Sequence, residues 1–169
     1  ISTTLSSAEA FIDFSGGSLG QGLSFAVGVA LSCKKRSFSS RIYTLVGDGE
    51  CDEGIVWESL MAAGNFCLDN FIVIIDCNGL QYDGFTNEVM KMSPLSEKLS
   101  SFGFSVKEID GHDCKSLLAA LKTKTEGQPM AVIAHTVKGK GVSFMENRKE
   151  RHHSILTENQ YKQAQSEQS

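Results

Sequence analysis

The 169-residue sequence has no Cys-x-x-C pair among its five cysteines, no long apolar run, no excess of positive charge and no internal repeat. Each absence removes a class of protein. Cys33, Cys51, Cys67, Cys77 and Cys114 are an odd number at irregular spacing. That fits neither a disulfide scaffold nor a zinc site. It implies a reducing compartment, the cytoplasm, with free and mostly buried thiols. Apolar runs reach only about five residues, too short to span a bilayer. Sixteen Lys and Arg against twenty Asp and Glu give a net charge of −4, so no nucleic-acid or membrane partner is expected. Hydrophobic residues make up 41% and charged residues 21%. These values exclude a disordered chain and leave one globular domain over residues 1–169. The chain opens on Ile1 rather than Met, and it is expected to be incomplete at its N-terminal end.

What is present alternates between two patterns. Residues 1–15 are Ser- and Thr-rich and predict a loop or frayed segment. Gly16-Gly17-Ser18-Leu19-Gly20-Gln21-Gly22 then opens an apolar stretch. Leu23, Ala26, Val27, Ala30 and Leu31 follow helical spacing. Phe25 and Val29 make the opposite side apolar, which predicts a helix buried nearly all round. Three continuous apolar runs rich in β-branched residues follow, Ile42–Val46, Phe71–Ile75 and Met130–Ala134. Continuous runs predict strands covered on both faces, hence a parallel sheet. Phe104–Ile109 alternates and predicts a strand nearer the edge. Between the strands, Val56, Leu60 and Ala63 form one helical stripe, with Trp57 and Met61 beside it. Cys114, Leu117, Leu118 and Leu121 form another, with Asp113 as its N-cap. The fold class is α/β: a parallel sheet with helices on both faces, joined by right-handed crossovers. Residues 157–169 are Gln-, Glu- and Ser-rich and predict a tail, either a short helix or disordered.

The chemistry is concentrated at two strand ends. Val46-Gly47-Asp48-Gly49-Glu50 directly follows a predicted strand, and Asp76-Cys77-Asn78-Gly79-Leu80-Gln81 follows the next. Ligands of open α/β sheets bind beyond the carboxyl ends of strands. Asn78 lies thirty residues after Asp48, about one strand–helix–strand unit. If the two strands are neighbours, Asp48 and Asn78 face each other. A carboxylate, an amide oxygen and peptide carbonyls are hard donors that suit Mg²⁺. The glycine-rich turn leads into a helix N-terminus, a natural seat for phosphate oxygens. The expectation is a Mg²⁺-diphosphate site. An EF-hand is excluded because Gly54 falls one position late and a strand, not a helix, precedes the acidic cluster. Neither glycine cluster reads G-x-G-x-x-G, which disfavours a dinucleotide site.

Taken together, Gly17-Ser18-Leu19-Gly20-Gln21-Gly22, Gly47-Asp48-Gly49-Glu50, Glu53-Gly54, Trp57-Glu58, Asp76-Cys77-Asn78 with Gln81, Asp110-Gly111-His112-Asp113 and Lys138-Gly139-Lys140-Gly141-Val142-Ser143-Phe144-Met145-Glu146-Asn147 resemble transketolase. The last run resembles the N-terminal, diphosphate-binding subunit of split transketolases, and the likeness covers roughly residues 15–160. The resemblance implies thiamine diphosphate and Mg²⁺ as cofactors, with the metal held by Asp48, Asn78 and the Leu80 carbonyl. It implies that Gly17, Ser18, Leu19 and Gly49 line the diphosphate and thiazolium. Tyr82 would pack on the thiazolium. His152 would contact the diphosphate and the reacting substrate. Glu53 would communicate with the partner's activating glutamate, although it also fits a simple helix cap. The implied activity is transfer of a two-carbon unit from a ketose to an aldose, with sugars or sugar phosphates as substrates. The implied partner is a pyrimidine-domain subunit, in a heterotetramer.

Two departures stand out. Residues 1–15 hold no histidine where the family has a Gly-His-Pro segment. Arg151-His152-His153 replaces the family's Trp-His-Gly, and His152 is favoured over His153 for the catalytic role. Two other readings stay open: another thiamine-dependent enzyme such as deoxyxylulose-phosphate synthase, or a non-catalytic cofactor- or partner-binding module. His112 and His135 read first as structural residues. Lys138 and Lys140 read equally as phosphate ligands or solvated loop charges.

Overall fold

The computed structural model describes residues 12–168; the sequence expectations for residues 1–11 lie outside the described residues. Residues 12–16 carry no helix or strand, in line with the expected loop. The elements in chain order are α1 (Gln21–Lys35), β1 (Ile42–Gly47), α2 (Gly54–Asn65), β2 (Phe71–Cys77), α3 (Thr86–Val89), α4 (Leu95–Ser101), β3 (Ser105–Asp110), α5 (Cys114–Lys122), β4 (Met130–His135) and α6 (Glu158–Glu167). Short 3-10 turns occupy Asp48–Asp52 and Lys149–Arg151.

All four strands are parallel, in the order β1-β2-β4-β3. The β-branched runs form the strands, and the alternating run forms an edge strand, as its pattern predicts. The larger core packs α1, α2 and α4 on one sheet face, around Leu23, Leu60, Phe71, Val73 and Leu99. The smaller core lies on the other face, where Ile72, Met130 and Val132 meet Ala120 and Leu121 of α5. Asp113 caps α5, accepting from the amides of Lys115 and Ser116 at 3.0 and 3.3 Å. The tail is the helix α6, capped by Thr157.

Four expectations need correction. β1 is not covered on both faces: it is the other edge strand, and Tyr43 and Leu45 are exposed. Their face belongs to the smaller core, where α5 packs against residues of β2, β4 and β3 and none of β1. α1 is not buried all round either. Leu23, Ala26, Val27 and Ala30 are buried, but Phe25 is exposed and stacks on Phe14, centroids 4.8 Å apart. A helix in an outer layer has only one layer beneath it. On α5 the predicted stripe is only partly covered, with Leu118 and Cys114 exposed. Finally, the thiols are not mostly buried: Cys51 is, while Cys67 and Cys114 are exposed. Burial pushes the Cys51 thiol up to about 12 and the Cys77 thiol to about 11, and nearby carboxylates add to both. Neither is a nucleophile near neutral pH.

Candidate functional site

β1 and β2 are neighbours, with Gly47 paired to Asp76. Both chain segments therefore leave the sheet at the same level, and this creates the crevice. Asp48 starts the turn after β1 and is buried to 6% exposure. Its Oδ1 accepts from the Gly49 amide at 3.0 Å and its Oδ2 from the Gly79 amide at 2.7 Å. The second bond joins the two strand ends directly. Burial raises the Asp48 pKa above the ordinary carboxylate range; the two amides oppose that and the nearby Asp76 charge adds to it. A carboxylate made costly to ionise in this way is ready to be stabilised by a cation.

Asn78 follows β2. Its Oδ1 accepts from the Leu80 amide at 3.0 Å, and its Nδ2 donates to Asp76 Oδ2 at 3.3 Å. The Thr136 hydroxyl, just beyond β4, donates to the other Asp76 oxygen. A series of side chains from β4 through β2 thus orients the Asn78 amide. Leu80 is buried, and no hydrogen bond among the described residues reaches its carbonyl. The donor set suits a small hard dication: a buried carboxylate with lone pairs to spare, an oriented amide oxygen and an unshared carbonyl. Asp48, Asn78 and Leu80 therefore fit Mg²⁺.

The glycine-rich turn is fastened to this crevice by Glu50. One carboxylate oxygen accepts from the Gly20 amide at 3.0 Å and the other from the Gly47 amide at 3.0 Å. Gly20 has φ +76°, and a Cβ there would lie 2.5 Å from Ile55 Cγ2. Only glycine lets the turn approach α2 so closely. Gly49 is similarly constrained, since its Cβ would lie 2.8 Å from Gln81 Cβ. Gln81 in turn donates to Asp52 at 2.9 Å, and the indole of Trp57 donates to the Cys51 carbonyl at 2.7 Å. The turn after β1 is thus braced on both sides. Gly17, Ser18 and Leu19 are exposed on the outer side of the glycine turn, just before α1.

The remaining predicted residues are placed as follows. Tyr82 is 72% exposed on the loop after Leu80, and its ring stands nearly perpendicular to that of His152, centroids 5.9 Å apart. The sequence separates these rings by seventy residues; the structure brings them together. Loss of water around the His152 ring, then the Lys138 charge, hold its pKa below the usual imidazole value. His153 is exposed and has no ring contact among the described residues. Glu53 precedes α2, but its side chain makes no capping bond and is exposed. His112 accepts from the Val137 amide at 2.7 Å and His135 pairs with Glu108 at 3.0 Å, so both brace the protein's own structure.

The stretch that carries His152 is anchored at its start to the helix that follows it. Ser143 donates through its amide and hydroxyl to Glu167 of α6, at 2.6 and 2.7 Å.

Sequence reasoning missed Glu50 as the tie to the glycine turn, and it missed Thr136 and Asp76 as the support of Asn78. The pattern Gly-Asp-Gly-Glu contained Glu50, but its partner Gly20 lies thirty residues upstream. No local signal marks that pair.

Comparison with known proteins places these features in context. Residues 6–168 match the family model described as the thiamine diphosphate binding domain of transketolase. The chain is 43% identical over 155 residues to a 6-deoxy-6-sulfo-D-fructose transketolase subunit, SqwG, of Clostridium sp. (strain MSTE9), covering 90% of this chain and 56% of that protein. It is 43% identical over 145 residues to one of the apulose-4-phosphate transketolase subunits, from Actinobacillus succinogenes, covering 85% and 52%. The chain thus spans about half the length of these curated relatives. Among solved structures, transketolase from Campylobacter jejuni superposes with a TM-score of 0.86 at 33% identity, over 92% of this chain and 26% of that one.

Proposed function

The chain belongs to the family of transketolase thiamine diphosphate-binding domains, and from that premise we propose that it is the diphosphate-binding component of a two-chain transketolase-like enzyme. The observation that carries this reading is the bond from the Gly79 amide to Asp48. It closes a hard-oxygen pocket at the ends of two parallel strands, beside a glycine turn opening a helix.

In this reading Asp48, Asn78 and the Leu80 carbonyl hold Mg²⁺. Thiamine diphosphate, when bound, supplies the carbon nucleophile and electron sink needed to break a ketose C–C bond. The chain's own residues bind, orient and handle protons. The backbone of Gly17, Ser18, Leu19 and Gly49 lines the cofactor, and Glu50 fixes that turn against the metal pocket. Tyr82 offers a flat face to the thiazolium and stands perpendicular to the His152 ring. His152, with its lowered pKa, stays neutral near pH 7 and can accept a proton from a substrate hydroxyl. Glu53 makes no capping bond within its own chain and is free to reach a partner's acidic group.

The reaction is transfer of a two-carbon ketol unit from a ketose to an aldose. Relatives named for a phosphorylated and a sulfonated sugar support sugar or sugar-phosphate substrates. Those relatives are named as subunits, which supports a second chain bearing the pyrimidine-binding domain, in a heterotetramer. The exposed Phe25–Phe14 stack on α1 is suited to such a contact. Among the described residues no helix is long and apolar enough to cross a membrane. Five free cysteines favour a cytoplasmic setting.

The test is to isolate the full-length protein from its own cell extract with Mg²⁺ and thiamine diphosphate and to weigh the intact assembly by native mass spectrometry. The expected result is a two-chain complex carrying cofactor and metal, which then transfers a ketol unit. A lone chain that takes up no cofactor refutes the reading.

A further inference from the structure

The turn that opens α1 carries Gly16, Gly17, Gly20 and Gly22 within seven residues. Glycine favours no single backbone shape, so such a segment must be held by its neighbours. The start of α1 gives little hold, because its cap is Gly20, which has no side chain to bond the first amides. On the crevice side the turn is held by Glu50 through the Gly20 amide. On the outer side it is held by a pair of rings that lies outside the sequence motifs. Phe14 precedes the turn and Phe25 stands just over one helical turn into α1. Their rings stack, with planes 27° and centroids 4.8 Å apart. The Phe14 ring also lies along both ends of the turn. A Cβ on Gly16 would sit 3.5 Å from its Cε1, and a Cβ on Gly22 would sit 3.7 Å from the same atom. Gly17, Ser18 and Leu19 are the residues between those two ends. The rings are 44% and 50% exposed. α1 reaches the core through Leu23, Ala26, Val27 and Ala30 instead. The pair is therefore spent on the turn rather than on the core.

We propose that the Phe14–Phe25 pair is a clasp that holds the glycine turn in its cofactor-binding shape. Phe14 is then a positioning residue, acting through the backbone of Gly17 to Leu19. This rests on the transferase reading above. A turn that samples other shapes binds only in proportion to the time it spends in the competent one. A stacked ring pair shifts an equilibrium by about threefold to tenfold, and that is the gain in affinity the clasp supplies.

The test uses the assembled protein with its partner chain. Thiamine diphosphate is titrated calorimetrically at saturating Mg²⁺ into wild type, Phe14→Ala, Phe25→Ala and the double variant. Kd should rise about threefold to tenfold in each single variant. The double variant should show little more than the larger single loss, because either truncation already opens the clasp. At saturating cofactor kcat should stay within about twofold, since the bound cofactor restores the turn. Phe14→Trp keeps a stacking face and should recover most of the affinity. Unchanged affinity in the single variants overturns the proposal, as do single losses that simply add in the double variant. So does loss of the two-chain complex with unchanged cofactor affinity, which would assign the pair to the partner interface. A second arm needs no cofactor: hydrogen exchange is followed in the full protein as isolated. In Phe14→Ala the amides of residues 16–24 should exchange faster by about the same factor, with the strands unchanged; equal rates overturn the clasp. A wild-type protein that differs from Phe14→Ala in this way but takes up no thiamine diphosphate refutes the transferase reading and leaves the clasp standing.

Discussion

Asp48 leaves a strand with its side chain buried and both carboxylate oxygens occupied by backbone amides. His152 leaves a long segment without strands, and its ring contact is an exposed tyrosine. The first position is set by sheet register: β1 pairs with β2, and everything that follows Gly47 and Asp76 is placed by that pairing. The second is set by a few side chains meeting across a loop. The strand-end crevice therefore behaves as part of the core, and the 138–153 segment behaves as an attachment to it. Binding of metal and cofactor should depend mainly on the first, and turnover on the second. Mutations should separate the two properties.

The sharpest attempt to break this division is Asp48→Ala. Loss of a metal ligand should lower Mg²⁺-dependent affinity for thiamine diphosphate by at least about a hundredfold, more than the usual effect of a supporting residue. The fold should survive, with about 1–2 kcal/mol lost from the unpaired Gly79 amide. Calorimetric titration with and without Mg²⁺, alongside a thermal melt, measures both; unchanged cofactor affinity would remove Asp48 from the metal site. The mirror experiment is on the other region. His152→Ala in the assembled enzyme should reduce kcat by about a hundredfold, the scale of a lost acid–base group. Cofactor affinity should fall far less than in Asp48→Ala, by the loss of one diphosphate contact, and His153→Ala should stay near wild type. Loss of activity in His153→Ala alone would reverse the choice between the two.

Glu50→Ala probes the join between the glycine turn and the crevice. It leaves the Gly20 and Gly47 amides without their acceptor. Cofactor affinity should fall about tenfold and stability by about 1–3 kcal/mol, as read by titration and denaturant unfolding. An affinity equal to wild type would mean the turn holds its shape unaided. The smallest effect belongs to a pair remote from both regions. Lys34 donates to Asp69 at 2.8 Å and holds its carboxyl below the usual carboxylate range, assisted by the Gly127 amide. A lowered carboxylate pKa contributes stability above the unfolded value, and that contribution is lost as pH falls through the folded one. Both partners are over a third exposed, so solvent screening limits the contribution to about 0.5 kcal/mol or less. Asp69→Asn removes that contribution, so stability near neutrality should drop by no more than this amount and the acid side of the stability curve should flatten slightly. Melts across that pH range would show it; an unaltered curve would mean the pair contributes nothing.

The same contrast governs what was legible in the sequence. Strands β1, β2 and β4 announced themselves because β-branched runs have few other uses. Their place in the sheet did not: Tyr43 and Leu45 read as core because nothing local says that β1 lies at an edge. Phe25 misled in the same way. The short helices α3 and α4 went unread because four and seven residues carry too little periodicity. At the crevice, Asp48 and Asn78 were legible from spacing, since one strand–helix–strand repeat brings strand ends level. Glu50 with Gly20, Thr136 with Asp76 and Tyr82 with His152 were not. Each pair is a contact between segments that the chain brings together only after folding.

The bond between Ser143 and Glu167 gives the His152 segment a property that its exposure conceals. Lys138 continues from the strand β4, and Ser143 is tied to α6, which itself follows His152 in the chain. The residues between Ser143 and Glu167 therefore form a closed ring, and His152 rides within it. A ring explores fewer shapes than an open strand of equal length, because every arrangement in which its ends lie apart is excluded. The histidine is thus held by connectivity as well as by contact: its wandering is limited by a knot tied fifteen residues away.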